Sequence, residues 1–184
     1  MLLYNVAIIA PTFTCRRPLG ALGLPFALSP ITFQLLVILI FFSSSLEGHE
    51  AMSEYALAWN KQAPKLLSGG SDNLVVLWNL EDYATSLFKS SSKSQTKWKN
   101  GKSLQANRKF KGHTDTVEDV AFHPTGHGNV FCSVGDDRSL IIWDARVDDP
   151  IAIRVSDAHE EDINCVDWNS HDPTAIVSGS SDGQ

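Results

Sequence analysis

The feature that most constrains this chain is a unit that recurs three times between residue 48 and residue 184. Gly48-His49, Gly112-His113 and Ala158-His159 each open a copy. Each pair leads into a short alternating segment closed by an aromatic residue: Tyr55–Trp59, Glu118–Phe122 and Asn164–Trp168. A polar, proline-bearing turn follows, and then a second segment that runs into small residues and an aspartate: Leu67–Asp72, Cys132–Asp137 and Val177–Asp182. In the first two copies a third segment ends in tryptophan, at Trp78 and Trp143. From histidine to turn aspartate the distance is 23, 24 and 23 residues, and His113 to His159 is 46. Short alternating segments repeated at such a period predict an all-β architecture whose units bury their faces only against their neighbours.

His49 to His113 is 64 residues, so the first copy carries an insertion of 18. It falls in the Ser/Lys-rich stretch 84–111, which predicts a solvated basic loop. Residues 84–112 hold eight basic residues and no acid, whereas 48–83 and 113–184 together hold five basic residues and twenty acids. An acidic body is a poor binder of nucleic acid and suits Lys/Arg-rich peptides.

Residues 1–47 differ in character. Leu19–Leu46 carries no charge and Leu35–Phe42 is unbroken apolar sequence, with Arg16 and Arg17 upstream. That order resembles a signal peptide or short anchor. Pro18, Pro25 and Pro30 leave only about sixteen uninterrupted residues, short of the ~20 a spanning helix needs. The segment therefore reads as extraneous to the domain, such as translated non-coding sequence, or else as targeting-like. Membership of the fold is the third reading. No Asn-x-Ser/Thr sequon occurs, which speaks against a secreted glycoprotein. Cys15, Cys132 and Cys165 are too few and scattered for a disulfide framework or a Cys-x-x-Cys metal site, and Cys132 and Cys165 read as buried thiols.

His113, Ser133 and Asp137 have the residue types of a hydrolase triad. The same types recur as His49, Ser68 and Asp72 and as His159, Ser178 and Asp182, and no Gly-x-Ser-x-Gly elbow accompanies them. Three copies fit a structural network far better than three active sites. The aspartate accepts from the histidine, which reaches the serine and then the indole N–H of Trp78 or Trp143. His123 and His127 flank a Pro-Thr-Gly turn without the further ligands a metal site needs. We expect no enzyme activity, no cofactor and no metal.

These units resemble the WD-repeat family, in which each repeat supplies strands of a four-stranded blade and the blades close around a channel. The resemblance implies a partial β-propeller of two to three blades out of about seven, with repeats at about 48–83, 112–147 and 158–184. Lys111–Pro124, Phe131–Asp137, Leu140–Arg146 and Asp157–Asn169 resemble the histone-binding branch, which holds the retinoblastoma-associated chaperone subunits and the plant MSI proteins. Ala56–Ala58, Leu67–Gly70 and Val75–Trp78, with the polar insert after them, lean toward its FVE-type member linked to flowering time.

That branch implies a nuclear, non-catalytic scaffold in deacetylase or Polycomb-type chromatin complexes. Its members take a histone H4 helix in a groove whose elements residues 48–184 do not contain, and the histone H3 tail at the channel mouth. The mouth position, four residues before the aromatic of each first segment, is Tyr55, Glu118 and Asn164, with Glu54 and Asp162 adding negative potential. A carboxylate and an amide oxygen accept from guanidinium, and an aromatic face stacks on it. Trp143, Asp144 and Arg146 also match the W-D-x-R ending through which WD-repeat proteins dock on the adaptor of cullin-type ubiquitin ligases. The rival readings are thus a ligase substrate receptor and, through residues 16–46, a membrane-anchored trafficking scaffold.

Overall fold

A computed structural model describes residues 44–50, 52–81 and 102–183. Its elements are strands: β1 (Ser44–Glu47), β2 (Glu54–Trp59), β3 (Lys65–Gly70), β4 (Leu74–Asn79), β5 (Lys102–Gln105), β6 (Arg108–Lys111), β7 (Val117–Phe122), β8 (Val130–Gly135), β9 (Leu140–Asp144), β10 (Ile151–Val155), β11 (Ile163–Trp168) and β12 (Ile176–Ser180). They form two four-stranded antiparallel sheets, β2-β3-β4-β6 and β7-β8-β9-β10, and a two-stranded sheet β11-β12. These are the blades the repeat predicts, and the partial propeller is the fold of the chain. The first strands β2, β7 and β11 lie at the edges of their sheets and neighbour one another, lining the inner side of the arc.

The middle strands explain why the repeat is apolar where it is. In β3 and β8 every residue but the first is buried, because a blade has a neighbour on both faces and its centre has no wet side. Phe110 of the first blade packs edge-on against Phe131 and Trp143 of the second, with ring centroids 5.0 and 5.7 Å apart. Ala56, Leu67 and Val75 meet Val117 and Val120 in the same seam. The next seam joins Ala121, Cys132 and Val134 to Ile163, Val166 and Trp168. Burial pushes the Cys132 thiol up to about 12, so it is inert.

Each blade is pinned by the polar network expected from the spacing. His113 Nδ1 lies 2.9 Å from Asp137 Oδ1 and its Nε2 2.7 Å from Ser133 Oγ, which accepts from Trp143 Nε1 at 2.8 Å. The first copy repeats it, with His49 at 2.9 Å from Asp72, 2.7 Å from Ser68, and Trp78 donating to that serine at 2.9 Å. In the third copy His159 meets Asp182 and Ser178 at 3.0 and 2.9 Å. The glycine before His113 is required by the same packing. A Cβ there would stand 2.5 Å from Cη2 of Trp143, and one at Gly48 would meet Trp78 equally closely.

Three expectations need correcting. Cys165 is exposed, because it lies on the face of β11 turned away from the second blade. The stretch 84–111 is not wholly a loop: β6 completes the first blade against β4 and buries Phe110, while its lysines occupy an outer edge where charge blocks further pairing. And β1, inside the segment read as separate, pairs in parallel with β5, and Leu46 packs with Leu104 against the cluster of Leu66, Val76 and Trp78. The remainder of 1–47 and of the insert lies outside the described residues, as do Arg16, Arg17 and the apolar run to Phe42.

Two outcomes follow from this packing. Burial alone would raise the Asp137 carboxyl, but hydrogen bonds from His113 and from the Thr114 and Ser139 amides outweigh it and hold it below 3.8. A depressed folded-state value contributes stability above the unfolded pKa and loses it as pH falls through the folded one. Asp137→Ala should cost about 1–3 kcal/mol in chemical denaturation at neutral pH, and the deficit should shrink in acid. Equal stability of variant and parent at pH 7 would contradict the network.

The second outcome concerns the open faces. Leu57 on the first blade, Ile153 on the outer strand of the second and Val177 on the third are 52, 53 and 66% exposed. Residues 48–184 in isolation should therefore self-associate rather than unfold cooperatively as a monomer, which analytical ultracentrifugation during a denaturant titration would show. A reversible, concentration-independent transition would contradict it.

Candidate functional site

The inner strands carry the same irregularity in the same place. The register of β2 on β3 shifts between Glu54 and Ala56, that of β7 on β8 between Val117 and Asp119, and that of β11 on β12 between Ile163 and Cys165. The extra residues are Tyr55, Glu118 and Asn164. A bulge leaves one residue out of the pairing and re-aims its side chain. The structure therefore puts the three expected mouth residues at one structural position on three adjacent inner strands.

The loop before each bulge is held by the turn that carries the network aspartate. Ser71 N donates to Ser53 O, Asp136 N to Thr116 O and Ser181 N to Asp162 O, at 2.9, 3.0 and 3.0 Å. The Glu50, Thr114 and Glu160 amides donate to Asp72, Asp137 and Asp182. The His–Asp network thus fixes the chain just upstream of each bulged residue.

The three side chains differ in chemistry. Tyr55 is 58% exposed and offers its ring. Glu118 is half-buried, and burial first, then the carboxylates of Asp136, Asp162 and Asp119, push its pKa above the usual glutamate value. Asp136 is raised by burial, Asp162 and Asp115. Asn164 Nδ2 donates to Ser181 Oγ at 2.9 Å, so its oxygen is the atom left to accept. An aromatic face, a carboxylate held among other carboxylates and an amide oxygen together suit a guanidinium or ammonium group. Asp162 is among the carboxylates that raise Glu118. Asp136, which the sequence reading passed over, joins the cluster from the β8–β9 turn because that turn folds back over the start of β7.

The W-D-x-R triplet divides differently. Trp143 has no exposed surface, and only Asp144 and Arg146 face solvent. Arg146 folds back on Asp144, Nε donating to Oδ1 at 2.8 Å and Nη2 to Oδ2 at 2.5 Å. These bonds hold the Asp144 carboxyl down at about 2. Arg108, at the end of the insert, clasps the same turn through Ala145 O at 2.9 Å and Asp148 O at 3.2 Å. His123 packs its ring edge-on against Trp168 at 4.6 Å and accepts from Thr125 N. Among the described residues no cluster of three or more His, Cys, Asp or Glu side chains could hold a metal ion.

A family model described as "WD domain, G-beta repeat" matches residues 41–79, 104–144 and 152–184. The WD-40 repeat-containing protein MSI4 of Arabidopsis thaliana is 44% identical over 146 residues, which is 74% of this chain and 29% of that relative. The chain thus spans under a third of the length of the relative it matches. Its blades, its His–Ser–Asp–Trp networks and these matches place it in the WD-repeat family, on the MSI-like side, and the chain belongs to that family.

Proposed function

We propose that this chain is part of a non-catalytic, nuclear histone-binding scaffold that takes the basic N-terminal tail of histone H3 at its channel mouth. It serves as a subunit of chromatin-modifying complexes of the deacetylase or Polycomb type that repress transcription, with flowering-time control as the setting that an FVE-type relative implies. The observation that carries the reading is the shared bulge, which gives Tyr55, Glu118 and Asn164 one position on adjacent inner strands. The acidic balance of the body outside 84–112 supports it, since it attracts a cationic tail over distance. The resemblance of Lys111–Pro124 and Asp157–Asn169 to the histone-binding branch supports it independently. Any chemistry on the tail then falls to other subunits.

Titration of an H3 N-terminal peptide against the full-length protein tests this. Glu118→Ala removes one partner of a partly desolvated charge pair and should cost about 2–5 kcal/mol. Glu160→Ala and Glu161→Ala, in the exposed turn before β11, should cost much less. Tyr55→Ala should weaken binding through lost stacking, and added salt should weaken the parent complex. Binding needs ionised Glu118, whose pKa lies above 4.5. Affinity should therefore fall on acidification earlier than an ordinary glutamate would dictate, and Glu118→Gln should abolish that step. Equal affinities across all four alanine variants would contradict the proposal.

A further inference from the structure

The residue after the bulge is Ala56 in the first blade, Asp119 in the second and Cys165 in the third. Ala56 is buried in the apolar seam against Val117 and Val120. Asp119 stands at the same point of the next seam, half-buried, with both carboxylate oxygens engaged. Oδ1 accepts from Val120 N at 2.9 Å and Oδ2 from Val166 N at 2.8 Å. These two amides share a property. His123 N reaches Val130 O and Asn169 N reaches Ala175 O, so by strand alternation Val120 and Val166 point their N–H groups away from β8 and β12. Both face the inner side, where the sheets have no further strand to accept from them. One side chain of the second blade therefore satisfies an edge amide in its own strand and another in the third blade's inner strand.

A carboxylate placed in a seam that its sibling fills with alanine costs desolvation, which two amide hydrogen bonds offset. What the arrangement gains is a fixed spacing between β7 and β11 immediately beside Glu118 and Asn164. We infer that Asp119 is a positioning residue for the mouth, clamping the inner strands of the second and third blades so that Glu118 and Asn164 engage one basic tail together. The inference rests on the proposed mouth. It separates the two acids of the Glu118-Asp119 pair, Glu118 meeting the ligand and Asp119 committed to the backbone.

The test uses the full-length protein and the H3 N-terminal peptide, comparing parent, Asp119→Ala and Asp119→Asn, each with and without Glu118→Gln. Asp119→Ala should weaken binding about tenfold, the scale of one charge-assisted hydrogen bond, and should also shrink the effect of Glu118→Gln. Asparagine keeps one oxygen, which can serve Val166 N–H, while giving up the charge and the local bond from Val120 N. Asp119→Asn should therefore bind within about threefold of the parent, the scale of a screened charge, and keep the Val166 amide protected in hydrogen exchange. Asp119→Ala binding as the parent does, or Asp119→Asn losing affinity with Val166 still protected, would overturn the inference. Should the alanine variant not fold, the asparagine arm decides alone. A parent indifferent to Glu118→Gln would sink the mouth itself, whereas sensitivity to Glu118→Gln with indifference to Asp119→Ala sinks only the clamp.

Discussion

The rest of the structure depends on one hydrogen-bonded relay, in which a turn aspartate orients a histidine, the histidine meets a serine, and the serine accepts from a tryptophan indole. It joins three places far apart in sequence: the loop entering a blade, the second strand and, through Trp78 and Trp143, the third. Its effect reaches further than stability. The aspartate also accepts from the amide after the histidine, so the chain enters each inner strand at a fixed height. The bulge a few residues later then presents its side chain in the same place in every blade.

Between blades a different economy operates. Both faces of each sheet are needed for packing, which is why β3 and β8 have almost no polar face and why Phe110, Phe131 and Trp143 interlock edge to face across the seam. Among the described residues the polar bonds across seams lie at the rims. On one side Gln62 donates to Pro124 O and Lys65 to Asn129 Oδ1, both at 2.7 Å. At the outer edge Arg108 holds the turn after Trp143. At the inner edge Asp119 reaches Val166. Polar groups at the margins of an apolar seam fix its register without leaving buried charge unpaired.

Much of this was legible in the residues. The spacing of His113, Ser133, Asp137 and Trp143, recurring in the other copies, carries the network because its members must meet in space at every repeat. Counting back four residues from Trp59, Phe122 and Trp168 reached the bulged residue in all three strands, since the bulge falls at the same offset in each copy. The bulge itself was not legible, because a register shift is a relation between two strands and leaves no mark in either alone. β6 was disguised by the lysines around Phe110, and β1 by the apolar run before it. The role of Asp119 was hidden because its partner is a backbone amide, which has no sequence signature. Cys165 was misjudged because its apolar neighbours Val166 and Trp168 point to the other face of the same strand.

On the proposed function, a basic tail lies at the bulged position of the inner strands. A photoreactive phenylalanine analogue in place of Tyr55, compared with the same group at the exposed Lys61 in the turn beyond the opposite end of β2, tests it without depending on affinity. An H3 N-terminal peptide should cross-link at position 55, excess unlabelled peptide should compete it away, and position 61 should stay unlabelled. Cross-linking at position 61 alone, or equally at both, would contradict it.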